Sequence, residues 1–262
     1  VHFEAPAGAE VELTRGAGTT FLVAVLTFDG HTCIGKRLTP RMADEPLGHA
    51  AVERERQLLT MVDHPALPRL LHHGTDDFGP FLIETRAPGR SLAELVAQGP
   101  LPSSMLTELT RAAFGALADI HRHPRGVALG DLTPEDLFVG HRRGEVCFVD
   151  FGQSSWRERP PEGAERGTLP YTPPEVARGE ARWTQASDVY ALAATLLHAA
   201  VGREPCDAMG PARLIQIADH GLDASLIATV PDPLGIALGQ ALTFAPTDRR
   251  STAVDVLMAL AD

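Results

Sequence analysis

Short apolar runs alternate with turn residues at the start of the chain. Val11-Glu12-Leu13, residues 21–26 and residues 33–37 are punctuated by Gly16, Gly18 and Gly30, which predicts a meander of β-strands. Across residues 46–63 the period becomes helical. Val52, Leu58, Leu59 and Val62 are apolar, Glu53, Arg54, Glu55 and Arg56 lie between them, and Pro65 and Pro68 stop the helix. Residues 67–73 and 80–84 read as two further strands, and Ala87-Pro88-Gly89 as a linker. Beyond Leu92 the pattern is mostly helical. Residues 103–122 predict a long helix burying Leu106, Leu109, Ala113, Leu117 and Ile120. Residues 127–140 and 145–151 read as loop-and-strand pieces. Residues 184–202 predict an apolar helix buried nearly all round, and residues 234–242 and 252–260 two shorter ones. The expected organisation is a β-rich part at 1–85 and a helical part at 86–262, two packed lobes with a cleft between them.

Composition narrows the function classes. With 262 residues, 44% hydrophobic and 22% charged, the chain has ordinary globular values. A formal net charge of -11 argues against nucleic acid as the main partner, because phosphate backbones want a basic surface. No apolar run approaches the ~18 residues of a membrane span, and no stretch reads as a signal peptide. The cysteines, Cys33, Cys147 and Cys206, are odd in number and lack Cys-x-x-Cys spacing, which fits a reducing, cytoplasmic setting. Starting at Val1, the chain reads as one domain of a longer protein, of unspecified oligomeric state. The basic residues carry a further bias: of 23, all are Arg except Lys36, and Asn is absent altogether.

Gly16-Ala17-Gly18 lies between two predicted strands and not before a helix, so it fails the structural test for a dinucleotide-binding turn. An ordered series follows it. Lys36 stands in Cys33-Ile34-Gly35-Lys36, Glu55 sits mid-helix, and His64-Pro65 closes that helix. Then come Gly130-Asp131-Leu132-Thr133-Pro134-Glu135-Asp136, Val149-Asp150-Phe151-Gly152 and Gly167-Thr168-Leu169-Pro170-Tyr171-Thr172-Pro173-Pro174-Glu175. Asp188-Val189-Tyr190-Ala191-Leu192 and Asp248-Arg249-Arg250 complete it. In this order the motifs resemble the protein kinase family, of the bacterial Ser/Thr type, over essentially the whole chain.

The resemblance implies an α+β, bilobal protein-kinase-like fold, with a small antiparallel β-sheet lobe carrying one helix and a larger, mainly helical lobe. It implies ATP and Mg2+ as cofactors and a protein substrate or regulatory partner. Lys36 would neutralise the α/β-phosphates, held by an ion pair with Glu55. Asp131 would orient the acceptor hydroxyl and take its proton, with Thr168 close by in the substrate-facing loop. Asp136 and Asp150 would bind metal, and the backbone from Gly16 through Gly18 to Thr20 would cover the phosphates. Val23, Ile34 and Phe138 would sandwich the adenine, Glu84-Thr85-Arg86 would be the linker offering it backbone groups, and Ile83 would be the gatekeeper. Glu175 and Arg249 would form a buried structural ion pair, and Asp188 would accept hydrogen bonds from backbone near Asp131. The composition adds weight to Lys36. A chain that uses Arg everywhere else keeps a compact ammonium where phosphates would lie.

Several positions depart from the family pattern. Phe21 replaces the third glycine, Ile34 the alanine before the lysine, and Phe138 a leucine, all adding volume to the pocket. Leu129-Gly130-Asp131 stands for His-Arg-Asp, removing the Arg that clasps a phosphorylated loop. Asp136 replaces Asn, and Thr133 replaces the lysine that steadies the transferred phosphate, a loss of about 10²-fold in rate by analogy with other electrostatic donors. Two readings follow: an active Ser/Thr kinase, or a pseudokinase acting as a nucleotide-binding or interaction scaffold. A small-molecule phosphotransferase fits the 167–175 segment less well.

Overall fold

The computed structural model describes residues 3–17, 20–160 and 167–261, and side chains within that range except at 15–17. The chain divides into two compact units, Val1–Ala87 with Val149–Gly152, and Pro88–Phe148 with Gln153–Asp262.

The first unit is built on β1 (Ala9–Ala17), β2 (Phe21–Phe28), β3 (His31–Leu38), β4 (Leu70–Asp76) and β5 (Gly79–Thr85). They pair antiparallel in the order β1-β2-β3-β5-β4. β1 runs through Gly16, which pairs with Val23, and irregularities in register let it reach that far. Side chains alternate between faces. Phe3, Leu22, Ala24, Leu26, Cys33, Phe81 and Ile83 pack together on one side. Phe21, Leu38, Val52 and Leu82 form the core of the other, where α1 (Pro46–Met61) lies. Pro46 opens α1 at a position where its missing N–H costs nothing, and α1 buries Val52, Leu58 and Leu59, as its period predicts. Gly35 has a packing reason: a Cβ there would come 2.4 Å from Leu26 and 2.8 Å from Phe3.

In the second unit a small sheet of β6 (Arg90–Ser91), β7 (Leu137–Val139) and β8 (Val146–Phe148) carries the loop after Leu129. Around it lie α2 (Leu92–Val96), α3 (Ser103–His121), α4 (Pro174–Ala177) and α5 (Gln185–Val201). α6 (Pro211–His220), α7 (Ala224–Ile227), α8 (Leu234–Ala241) and α9 (Ala253–Ala259) follow. α3 buries the five apolar residues its pattern singled out. α5 is apolar nearly all round, capped by a Thr184–Ser187 box and ended by Gly202 at φ 74°. Ser91 caps the start of α2, and Gly99, at φ 114°, lies in the turn that follows it. Three helices, α4, α6 and α7, have no counterpart in the sequence reading. α6 buries only Ile217 and Ala218, too narrow a stripe to announce itself.

Candidate active site

In the first unit the chain's one lysine is 5% exposed and sits in β3 opposite Val23 and Leu82. Residues opposed across antiparallel strands share a face. Val23, Ile34, Lys36, Leu82 and Glu84 therefore project together toward the α1 side. Glu55, fully buried on α1, places Oε1 2.5 Å from Lys36 Nζ. Asp150, exposed and at φ 65°, lies in the segment that joins this unit. Burial disfavours the ammonium, but Glu55, Glu84 and Asp150 outweigh it and raise the Lys36 pKa above the ordinary lysine range. Glu55 moves the other way for a carboxyl: burial, against the pull of Lys36, pushes it up to about 8.

Several placements differ from expectation. Glu84 is not in a linker. It lies near the end of strand β5, paired with Ile34, and its buried carboxylate reaches to 2.9 Å from Lys36 Nζ. Ile83, assigned above as gatekeeper, points to the opposite face and packs with Phe3, Leu22 and Phe81. The residue on the Lys36 face is Glu84. The signal is present in the sequence: in a strand, residues two apart share a face, so Leu82 and Glu84 go together and Ile83 does not. Phe21, expected to crowd the pocket, is 4% exposed and spends its bulk in the core with Leu38, Val52 and Leu82. Its ring also lies 5.9 Å from Lys36 Nζ.

Of the remaining first-unit positions, Ile34 is half-buried and Arg86 is exposed. Gly16 lies within β1, not in a turn, and Gly18 falls outside the described residues.

The second unit carries its candidate residues on a loop. Asp131 adopts φ 47°, a backbone region costly for a side chain that carries a Cβ. The surroundings hold it there. The N–H groups of Leu129 and Gly130 donate to the Asp188 carboxylate at 2.7 and 2.9 Å. Trp183 Nε1 also donates to Asp188, at 2.7 Å, and His121 Nε2 lies 2.9 Å from it, two partners that motif reading missed. Gly130, at φ 78°, passes so close to Gln153 that a Cβ would sit 2.4 Å from its carbonyl oxygen.

Both Asp131 oxygens are engaged by Thr168. Its N–H donates to Oδ1 at 2.6 Å and its hydroxyl to Oδ2 at 2.8 Å. Five residues past Asp131, the Asp136 carboxylate accepts from Thr133 Oγ1 at 2.6 Å and from Thr133 N–H at 3.1 Å. Phe138 lies half-buried in β7. Farther away, Glu175 and Arg249 form a two-pronged ion pair at 2.6 and 3.0 Å, with the guanidinium 4.8 Å from the Tyr190 ring centroid.

Mg2+ is held by one or two carboxylates together with substrate phosphates, and Asp136 in the second unit and Asp150 in the first each offer hard oxygen donors of that kind. Among the described residues no group of three or more His, Cys, Asp or Glu side chains could hold a metal by itself.

Residues 10–251 match the model of the protein kinase domain. The chain belongs to the protein kinase family. It is 31% identical over 184 residues to the Ser/Thr protein kinase pkn2 of Myxococcus xanthus, covering 66% of this chain and 21% of that protein. It is 28% identical over 238 residues to the Ser/Thr protein kinase PknD of Mycobacterium tuberculosis, covering 87% of this chain and 35% of that one. The chain thus spans about a fifth to a third of the length of these relatives. The solved kinase domain of PknI from Mycobacterium tuberculosis, in a cysteine-to-alanine mutant, shares the fold, with a TM-score of 0.73 at 24% identity over 97% of this chain and 95% of that one. No helix among the described residues is long and apolar enough to cross a membrane.

Proposed function

We propose that this chain is a Ser/Thr protein kinase domain that transfers the γ-phosphoryl group of ATP to a protein hydroxyl. The observation that carries the proposal is the buried contact of the single lysine with Glu55 at 2.5 Å, in the unit that also holds Asp150. In phosphoryl transfer the protein positions groups and neutralises charge, and does little covalent work. Lys36 supplies a fixed positive charge for the α/β-phosphates, and Glu55 orients it. Asp131 receives the proton of the acceptor hydroxyl as that oxygen bonds to phosphorus and ADP departs. Oδ1 stays anchored by the Thr168 N–H, while Oδ2, now taken by the Thr168 hydroxyl, is the oxygen a substrate hydroxyl takes over. Asp136 and Asp150 would hold magnesium, which when bound neutralises phosphate charge. Val23, Ile34 and Phe138 would flank the adenine, with Arg86 and its neighbours along the edge of the site.

The test is transfer of labelled γ-phosphate from ATP to the chain itself or to a basic model protein, with Asp131→Asn alongside. Asp131→Asn should still bind ATP and lose turnover by about 10³-fold. Equal label with both proteins means that the transfer comes from a contaminant. A second reading, a pseudokinase, is favoured by one specific observation: Thr133 stands where a lysine would steady the phosphate, and its hydroxyl is spent on Asp136.

A further inference from the structure

Resting on the reading of Lys36 as a phosphate contact, we propose that Glu84 is a second carboxylate that competes with nucleotide phosphate for the Lys36 ammonium and so sets the affinity for ATP. An ammonium has three N–H donors. Glu55 Oε1 lies at 2.5 Å from Nζ and Glu84 Oε1 at 2.9 Å, which leaves a single donor for phosphate. The two grips differ in origin. Glu55 reaches Lys36 from α1, whereas Glu84 rides on β5, the strand hydrogen-bonded to β3, so the sheet itself holds its carboxylate against the lysine.

The charge balance is unlike that of a structural ion pair. Lys36, Glu55 and Glu84 are 5%, 0% and 2% exposed, so two buried carboxylates answer one buried ammonium. Asp150 adds a third acidic group acting on both glutamates. Glu55 Oε2 and Glu84 Oε2 are buried and have no hydrogen-bond partner. Arg249, by contrast, meets one carboxylate, Glu175, and uses both its oxygens. Burial pushes both glutamates toward their neutral form against the pull of Lys36, as expected where carboxylate exceeds cation. A purely structural carboxylate would lower ATP binding when lost. A competitor raises it.

The measurement is calorimetric titration of the purified chain with ATP and magnesium, and with adenosine, for wild type, Glu84→Gln, Glu55→Gln and Lys36→Met. Glu84→Gln keeps the shape and removes the charge, and should bind ATP about tenfold more tightly, a difference of ~1.4 kcal/mol. Its affinity for adenosine, which carries no phosphate, should stay within about twofold. Glu55→Gln should weaken ATP binding, opposite in sign, and Lys36→Met should lose it. Unchanged or weaker ATP binding by Glu84→Gln, beside a loss in Lys36→Met, overturns the competition and leaves the phosphate role of Lys36 standing. An equal gain for adenosine also overturns it, since the effect would then lie at the base. Wild-type affinity in Lys36→Met sinks both claims, and no binding by any of the proteins at millimolar ATP sinks the competition. Should Glu84→Gln not fold, Glu84→Met carries the same test.

Discussion

Strand β3 carries two cations side by side, Lys36 and Arg37, and the sheet sends them to opposite faces. Arg37 is 2% exposed and fully matched. Its fork meets both oxygens of Asp76 at 2.9 and 2.6 Å, its Nε donates to the Glu4 carbonyl at 2.6 Å, and the Phe81 ring lies 5.1 Å away. That planar, bidentate geometry is what a guanidinium does well. Lys36 has more carboxylate than it can satisfy and leaves oxygens without partners. A closed pair pins the N-terminal segment and the β4–β5 turn to the sheet. An open cluster keeps charge in reserve for something that arrives. The composition tells the same story, because Arg fills every other basic position and Lys is kept where a compact charge is shared.

The sharpest way to break this contrast is to replace each cation by methionine. Arg37→Met removes the buried guanidinium's hydrogen bonds to the Glu4 and Gly79 carbonyls and its contact with the Phe81 ring, and should cost about 2 kcal/mol, lowering Tm by roughly 6 °C. A Tm within a degree or two of wild type would show that the matched pair is not structural. Lys36→Met should instead weaken ATP binding by about 100-fold with a much smaller change in Tm, because the two glutamates can take up protons in place of the lost cation. If both substitutions act mainly on Tm, the distinction between the two faces fails.

A smaller effect is expected in the second unit. Thr133→Lys restores a cation near Asp131, and turnover of a protein substrate should rise about tenfold. A fall would show that the Thr133 hydroxyl on Asp136 matters more than added charge.

The gentlest test is pH. Hydrogen bonds from Arg37 hold Asp76 below the usual carboxylate range, so its contribution is present at neutral pH and is lost as pH falls through that lowered value. Glu55 has the reverse sign. Unfolded it ionises near 4.5, whereas in the fold burial keeps its proton up to about 8, so stability declines as pH rises between those values. Melting curves from pH 2 to 9 should show the acid limb flattened in Asp76→Asn and the alkaline limb flattened in Glu55→Gln. Identical pH profiles for the two variants would remove the electrostatic basis of the comparison.

What can be read from sequence follows the same division. The strands around Lys36, the helix bearing Glu55 and the long helices α3 and α5 are legible because period and punctuation agree over many residues. So are the motif residues that the structure gathers, Lys36 with Glu55 and Asp131 with Thr168, since their order along the chain encodes them. Glu84 is legible only by side parity: the strand expected at 80–84 already contains it, and sharing a face with Leu82 turns it toward Lys36, whereas the motif resemblance alone places it in the linker. Gly16 reads as a turn because glycine usually punctuates a strand, while here β1 continues through it with irregular register. The partners of Asp188, His121 and Trp183, are fixed by tertiary packing and leave no signal in the motif itself.

The central claim is that Lys36 and Asp150 make a working nucleotide site. Thermal unfolding of the chain across an ATP series, with and without magnesium and beside Asp150→Ala, tests it most directly. At 100 times its Kd a ligand stabilises a fold by ~2.7 kcal/mol, a shift of several degrees in a chain of this size. The account predicts a magnesium-dependent rise in Tm that disappears in Asp150→Ala. No rise at millimolar ATP in either wild type or Glu84→Gln would contradict it, and the chain would then act through its surface alone.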